Sequence, residues 1–231
     1  MQRMSGVHGS GHAPHAPWAV RGEVLVALVR WRDGRPGRLP AGVRPLPGPA
    51  AVVAVRYTDS PVGPWLELAV AEPARLGLRP GLCVTTMVVS EVAAKVGNRL
   101  NWGLPAEVGR LEWFAEGDGC ELVWRERGIV VSGRPVGPVV PAALPVRSVQ
   151  RRGDGPVLVP RRLAALLRMA RTEVTVPGDD SLEGLRGRHP GALLRSVRMV
   201  IHPARQPSGA LSSFRAPLRA PELARWADQD A

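Results

Sequence analysis

Lysine is nearly absent from this sequence, which contains Lys95 and no other lysine. Cysteine and aromatic residues are also scarce: Cys83 and Cys120 are the two cysteines, and aromatic residues make up 4% of the chain. Both cysteines lie in apolar stretches, with no cysteine or histidine at the spacing of metal ligands. We therefore expect buried free thiols, with neither a disulfide framework nor a metal site.

Long apolar runs are missing as well. No run approaches the roughly 18 residues that span a bilayer, and the N-terminus lacks the apolar core of an export signal. Since no disulfide framework is present either, we expect a cytoplasmic protein that does not span a membrane. His8, His12 and His15 lie in a tail rich in Gly and Pro, which offers no preorganised geometry for a metal.

The net charge of +11 would ordinarily suggest a nucleic-acid partner. Nearly all of the basic residues are arginine, however, and Ala, Gly and Pro are also abundant, which is the bias of a GC-rich coding sequence. The arginines are scattered over most segments, and few aromatic residues are available to stack on bases. We therefore expect no specific binding of nucleic acid.

Many short apolar or alternating runs, separated by Gly and Pro turns, predict a mainly β protein of the α+β class, an antiparallel barrel or sandwich in one domain. Helical turns are expected at 72–77 and at 161–170, and short helices at 181–188 and 221–226. Strands are predicted at 24–29, 50–57, 65–70, 82–89, 109–114, 121–124, 128–132, 146–151, 156–159, 171–176 and 193–201.

A further amphipathic helix is predicted at the centre of the chain. Ser90 can cap its first turn, Glu91 suits the positive end of its dipole, and Gly97 is expected to end it. A tight loop follows, in which Trp102, Gly103 and Pro105 precede Ala106 and Glu107.

Three stretches resemble the acetoacetate decarboxylase family in the order and spacing of their motifs. Residues 98–107, Asn-Arg-Leu-Asn-Trp-Gly-Leu-Pro-Ala-Glu, are similar to the family's active-site loop, in which Gly-Arg-Glu precedes Gly, an apolar residue, Pro-Lys and then Lys or Glu. Residues 56–68 resemble the strand and loop that carry a pocket glutamate, and 17–23 resemble the segment that brings a substrate-binding arginine.

The resemblance implies one domain, 17–205, folded as the family's closed, cone-like antiparallel β-barrel with a few short outer helices and an enclosed pocket. Residues 1–16 are expected to be a disordered tail, and the Pro- and Arg-rich residues 206–231 a second tail. The family also implies a homo-oligomer, a small organic acid or carbonyl compound as ligand, and no cofactor.

One position departs from the family pattern. Where the family has the lysine that forms a Schiff base with its substrate, this sequence has Ala106. An imine requires a primary amine with a lowered pKa, and Lys95, in the preceding helix, is not expected to reach the pocket. We therefore expect the fold and the pocket of the family without its imine chemistry.

The resemblance also nominates site residues. Glu67, beside Trp65, matches the pocket glutamate and is a candidate proton carrier; the alternative is a carboxylate on an edge strand paired with an arginine. Arg21 is a candidate for binding a substrate carboxylate, and Arg30 or Arg32 could serve instead.

Three residues of the loop complete the candidate site. Trp102 would line the pocket beside Ala106, and Arg99 would contact the substrate or hold the loop by donating to backbone carbonyls. Glu107 would either form an acid/base pair with Glu67 or make an ordinary salt bridge at the rim.

Two functions are compatible with this pattern. The protein is either a lyase-like enzyme that acts on a small oxo acid or enolisable carbonyl compound without an imine, or a non-catalytic sensor that binds a small organic acid.

Overall fold

The computed structural model describes residues 13–30, 39–153 and 155–207. Within these residues the chain forms eleven β-strands, one α-helix and 3-10 turns at Arg125–Arg127 and Glu183–Leu185, which confirms the mainly β class. The elements are β1 (Trp18–Val29), β2 (Val43–Pro45), β3 (Ala50–Asp59), β4 (Trp65–Leu76), β5 (Arg79–Val89), α1 (Val92–Trp102), β6 (Ala106–Val108), β7 (Leu111–Glu116), β8 (Gly119–Trp124), β9 (Ile129–Arg152), β10 (Gly155–Thr175) and β11 (Gly187–Ile201).

The strands form a single sheet that curls until two distant strands meet. Hydrogen bonding runs in the order β6-β5-β4-β3-β1-β11-β10-β9-β8-β7, with β2 beside β4. A parallel pairing between Leu82 of β5 and Ser148 of β9 links two strands that lie far apart in this order. The strands from β5 through β1 to β9 therefore form a closed ring, as a cone-like barrel requires.

The wall of the ring separates an inner hydrophobic core from an outer one, and a third, smaller cluster surrounds Cys83 and Val149. In β1, Val20 and Val24 face the inside of the ring, whereas Leu25 and Ala27 face outward, because successive side chains of a strand point to opposite faces. The inner core also contains side chains of α1, and the outer core packs the wall against β7, β8 and the first part of β9. Packing on both faces explains why the wall strands are nearly continuous apolar runs.

The helical turn predicted at 72–77 is wrong. These residues extend β4 to Leu76, pairing with β5 on one side and with β2 on the other. Ala74 and Leu76 are buried by this pairing. Sheet formation on both edges therefore overrides the local signal of Pro73 and Gly77, and the chain turns only after Leu76.

The helical turn predicted at 161–170 is also wrong, since this segment lies entirely within β10. Its pairing with β11 shifts register between Ala164 and Leu166, and its pairing with β9 shifts between Leu167 and Met169. Such irregularities break the two-residue alternation of a strand. Leu163 and Leu167 pack on the inner core and Leu166 is 44% exposed, so the helix-like spacing of the three leucines does not correspond to one face.

The central helix is confirmed, but its boundaries differ from those predicted. Ser90 makes no capping bond; its hydroxyl accepts a hydrogen bond from the Leu66 amide at 2.9 Å. The helix also continues through Gly97 and ends at Gly103, whose φ of 67° is the left-handed conformation typical of a helix end. Gly97 serves packing instead, because a β-carbon there would overlap the indole ring of Trp18.

Other predicted segments have mixed outcomes. Within 181–188 the structure has a single 3-10 turn, and the helix predicted at 221–226 lies outside the described residues. Of the N-terminal tail, residues 1–12 lie outside them too, whereas Pro14 accepts a hydrogen bond from the Trp18 indole at 2.9 Å. No helix within the described ranges is long and apolar enough to cross a membrane.

Candidate functional site

The interior of the ring contains a buried carboxyl group. Glu67 lies on β4, between β3 and β5, and is 6% exposed. The Tyr57 hydroxyl donates to Glu67 Oε2 at 3.2 Å, and the Tyr57 ring stacks on Trp65 with 4.1 Å between centroids. The alternative that made Glu67 an edge-strand carboxylate is therefore wrong.

The surroundings of Glu67 favour its neutral form. Burial raises its pKa above the ordinary 4.5, whereas the positive charge of Arg161 and the hydrogen bond from Tyr57 lower it by less. Burial likewise raises the pKa of Tyr57 well above 10.0, and the charge of Glu67 adds to this effect. The phenol is therefore a neutral hydrogen-bond donor, and the carboxyl group can hold a proton closer to neutrality than an exposed glutamate.

Arg161 is a member of this site that the sequence analysis missed. On β10 it lies opposite Ile201 of β11, which belongs to the inner core, and two residues from the inner-core Val159. Its Nε is buried and has no hydrogen-bond partner among the described residues. The alternation of Val157, Val159 and Arg161 was the available signal, but the helical assignment of 161–170 concealed it.

One row of side chains on the inner face, next to the row of Glu67, is only partly buried. Val26, Val53 and Ala192 form one row across β1, β3 and β11, directly beyond the row that contains Val55 and Glu67. These three side chains pack on the inner core but remain partly exposed. The inner face is therefore less tightly covered at this row than at the row of Val55 and Glu67.

The loop after α1 contributes the wall on the other side of β5. Ala106 pairs with Met87 and is fully buried in the inner core, about 10 Å, or two strand spacings, from β4. The Arg99 Nε donates to the Ala106 carbonyl oxygen at 2.8 Å. Arg99 therefore holds the loop through a backbone carbonyl, the structural role considered from the sequence.

Glu107 points away from the ring. Its side chain is 60% exposed and forms salt bridges with Lys95, at 2.8 Å, and with Arg99. The hydrogen bond from Lys95 is the main reason that the pKa of Glu107 lies below its usual value. The pairing of Glu67 and Glu107 as acid and base is thus not formed, and the rim salt bridge is the alternative that the structure shows.

Lys95 lies closer to the loop than the sequence suggested, because α1 continues to Trp102 and the chain then reverses. Its ammonium group nevertheless contacts the outward carboxylate of Glu107. Ala106, the preceding residue, points inward. Lys95 and Ala106 therefore lie on opposite sides of the loop.

The remaining candidates lie in different environments. Arg21 is exposed, and it follows Val20, which faces the inner core, so its side chain is directed away from the interior. Arg30 is exposed at the end of β1, and Arg32 lies outside the described residues. Trp102 is fully buried in the same core as Trp65, and its indole packs edge-on against Trp18 at 5.0 Å.

Solved structures of distant sequence share this fold. The enduracididine biosynthesis enzyme MppR complexed with pyruvate aligns with a TM-score of 0.64 and 17% identity, over 84% of this chain and 91% of that chain. Acetoacetate decarboxylase from Legionella pneumophila aligns with a TM-score of 0.60 and 16% identity, over 84% and 88%. An acetoacetate decarboxylase-like enzyme from Sphingomonas wittichii RW1 aligns with a TM-score of 0.53 and 14% identity, over 83% and 92%.

No protein-family model matches this sequence, and no curated protein matches it. At identities this low, the similarity to solved structures establishes the fold alone. The chain therefore has the fold of acetoacetate decarboxylase, as its loop and strand motifs predicted.

Proposed function

We propose that this protein binds a small oxo acid, or a related enolisable carbonyl compound, inside the ring and exchanges a proton with it through Glu67. The observation that carries the proposal is the buried, hydrogen-bonded pair of Glu67 and Tyr57 on the inner face, one row from the partly buried Val26, Val53 and Ala192. The pyruvate named for MppR, a protein of the same fold, supports the choice of ligand class.

The chemistry of this pair suits enolisation. Tyr57 can donate a hydrogen bond to the carbonyl oxygen of the ligand, which stabilises the negative charge that develops there as the C–H bond breaks. Glu67 in its ionised form can take a proton from the neighbouring carbon, so that a C–H bond breaks and an O–H bond forms. The reaction is redox-neutral and needs no further reactant.

The proposal does not include an imine. Ala106 has no amine at the position where the family resemblance places the nucleophile. The ammonium group of Lys95 interacts with Glu107 on the outer side of the loop. Its amine is therefore directed away from the inner core, whereas a nucleophile for an imine would have to meet the ligand there.

A second candidate function is a non-catalytic one, in which the ring binds a small organic acid as a sensor. The alanine at position 106 favours it, because it removes the family's nucleophile while leaving the surrounding core intact. The two functions differ in whether a bound ligand exchanges protons with solvent.

The first experiment identifies what the ring binds. Mass spectrometry of the denatured, freshly purified protein should detect a small organic acid or carbonyl compound, and calorimetry should detect binding of added pyruvate. Failure to find such a ligand or to bind pyruvate would contradict the proposal.

The second experiment tests proton exchange. In D2O the wild type should exchange the methyl protons of pyruvate faster than buffer does, as measured by proton NMR. Glu67→Gln should slow this exchange by about 100-fold or more, the usual contribution of a general acid or base. Glu112→Gln, which alters an exposed carboxylate in a salt bridge with Arg125, is the matched control and should change nothing. Binding without exchange in the wild type would favour the sensor.

A further inference from the structure

We infer that Arg161 binds the carboxylate group of the ligand and makes the site selective for oxo monocarboxylates over neutral carbonyl compounds. This inference rests on the proposed function and deepens it. It also replaces Arg21, which the family resemblance nominated for this contact and which the structure directs away from the ring interior.

The placement of Arg161 is the first support. Its neighbours Val159 and Leu163 on the same face of β10 both pack in the inner core, as does Ile201 across the strand pair. Its positive charge also lowers the pKa of both Glu67 and Tyr57, so it lies within electrostatic range of the pair. By contrast, the adjacent Arg162 is exposed on the opposite face of the strand.

The second support is the unused hydrogen-bonding capacity of this side chain. The buried Nε has no partner, and no acidic side chain of the described residues forms a salt bridge with Arg161. A buried donor without a partner is costly, and a guanidinium presents a planar fork that matches a carboxylate. A bound carboxylate would accept a hydrogen bond from the buried Nε and would neutralise the charge of the guanidinium.

Two further polar groups lie along the same wall of the ring. Ser148 and Gln150 of β9 pair with Val159 and Val157 of β10, so they share the inner face with Arg161. The Ser148 Oγ and the Gln150 Nε2 are buried without hydrogen-bond partners among the described residues. The β9–β10 wall therefore offers donors for a carboxylate, whereas the facing β3–β4 wall supplies the proton-carrying pair.

The charge of the interior also favours one ligand class. Burial disfavours the charged forms of Glu67 and Tyr57, so the charge that Arg161 brings to this site is positive, and one carboxylate neutralises it. A neutral carbonyl compound would leave the guanidinium unpaired, and a dicarboxylate would bury one uncompensated negative charge. An α-oxo monocarboxylate is therefore the best match in charge and in the arrangement of donors.

The test compares pyruvate with pyruvamide, its neutral analogue of nearly the same shape. Calorimetry should show that the wild type binds pyruvate at least about 10-fold more tightly than pyruvamide, since hydrogen bonds to charged groups contribute this much. Arg161→Gln should lose most of that preference and still bind pyruvamide, which also shows that the variant is folded. Arg161→Lys should retain part of the preference, and Arg162→Gln, the matched control, should retain all of it.

The outcomes separate this inference from the function on which it rests. If the wild type binds neither compound, the proposed function itself is overturned. If it binds both equally, or if Arg161→Gln keeps the full preference for pyruvate, the ligand site stands and the role of Arg161 is overturned. If Arg161→Gln does not fold, the wild-type preference for pyruvate and the preference of Arg161→Lys still test the inference. An unchanged preference in Arg161→Lys would exclude recognition of the carboxylate by the planar guanidinium of arginine.

Discussion

At the residue scale, the buried carboxyl group of Glu67 should make stability depend on pH. Below about pH 4.5 Glu67 is protonated in the folded and in the unfolded protein. As the pH rises above 4.5, the unfolded chain releases this proton first, because burial raises the pKa of Glu67 in the folded state. The charge of Arg161 and the hydrogen bond from Tyr57 both oppose this rise in pKa, but burial outweighs them.

The wild type should therefore lose stability relative to Glu67→Gln as pH rises from 4.5, by at most about 1.4 kcal/mol per pH unit, until the folded-state pKa is reached. Urea unfolding of both proteins at several pH values between 4.5 and 8 measures the difference in their free energies of unfolding. The contributions of the exposed carboxylates cancel in this difference. A difference that stays constant over this range would mean that the pKa of Glu67 is not raised.

The position of Ala106 leads to a second prediction at this scale. After incubation with pyruvate or acetoacetate and reduction with borohydride, the wild type should show no covalent adduct by mass spectrometry. Lys95→Gln is the control, because the nearest amine is then absent. An adduct that maps to Lys95 in the wild type would show that the salt bridge with Glu107 opens and would restore imine chemistry.

A lysine placed at the same position gives the complementary experiment. Ala106→Lys should gain some adduct, since the side chain at 106 points into the inner core. Overpacking at this fully buried position should cost about 1–3 kcal/mol of stability. A folded Ala106→Lys protein with no adduct would argue that the ligand does not approach this part of the ring.

At the scale of the element, α1 is joined to the barrel by contacts that its own pattern did not reveal. Gly97 lies against the ring of Trp18, which in turn packs against Trp102 at the end of the same helix. Asn101 also donates a hydrogen bond to the carbonyl of Pro14 at 2.9 Å. The helix and the segment before β1 therefore stabilise each other.

The substitution Gly97→Ala tests this packing. An alanine inside a helix normally stabilises by about 1 kcal/mol relative to glycine, but here its β-carbon would overlap the indole of Trp18. We expect a net loss of about 1–3 kcal/mol in the free energy of unfolding. Leu100→Ala, at a position that is 67% exposed on the same helix, should change stability by about 0.5 kcal/mol or less. Stabilisation by Gly97→Ala would mean that the glycine only interrupts the helix.

At the scale of the whole molecule, the net charge of +11 should not produce specific recognition of nucleic acid. Several arginines of the described residues are engaged in salt bridges at separate places, among them Arg99, Arg125 and Arg127. Binding to DNA or RNA should therefore be weak, insensitive to sequence, and lost steeply between 50 and 200 mM salt, in the range where about 1,000-fold losses are typical of phosphate contacts. Tight, sequence-dependent binding at physiological salt would contradict this prediction.

The long β9–β10 hairpin has consequences for assembly. Val139, Leu166 and Met169 are between 44% and 54% exposed along it, and an apolar strip of this kind commonly marks an interface. We expect a second copy of the chain to cover this strip. Light scattering after size exclusion should give the mass of two or more chains, and Met169→Lys should lower it. A monomeric wild type would contradict both expectations.

The fold class and the central part of the site could be predicted from the sequence because their signals are local. The apolar runs of β1, β3, β4 and β5, and the glycine and proline turns between them, are properties of neighbouring residues. The motifs around Glu67 and Ala106 likewise identified two inward-facing positions without any knowledge of the sheet. Arg161 was missed because the leucine spacing after it predicted a helical turn, which hid the alternation of Val157, Val159 and Arg161 along the strand.

The sequence by itself determined the mainly β architecture, the absence of a lysine at position 106 and the carboxyl group at position 67, since each is a matter of residue identity and short-range pattern. The tertiary structure alone decided which polar side chains meet inside the ring. The pairing of Leu82 with Ser148 closes β5 onto β9, and only this closure brings Arg161 of β10 to the side of Tyr57 and Glu67. Side-chain direction follows from position in a strand, but the meeting of two opposite walls depends on contacts between residues far apart in the chain.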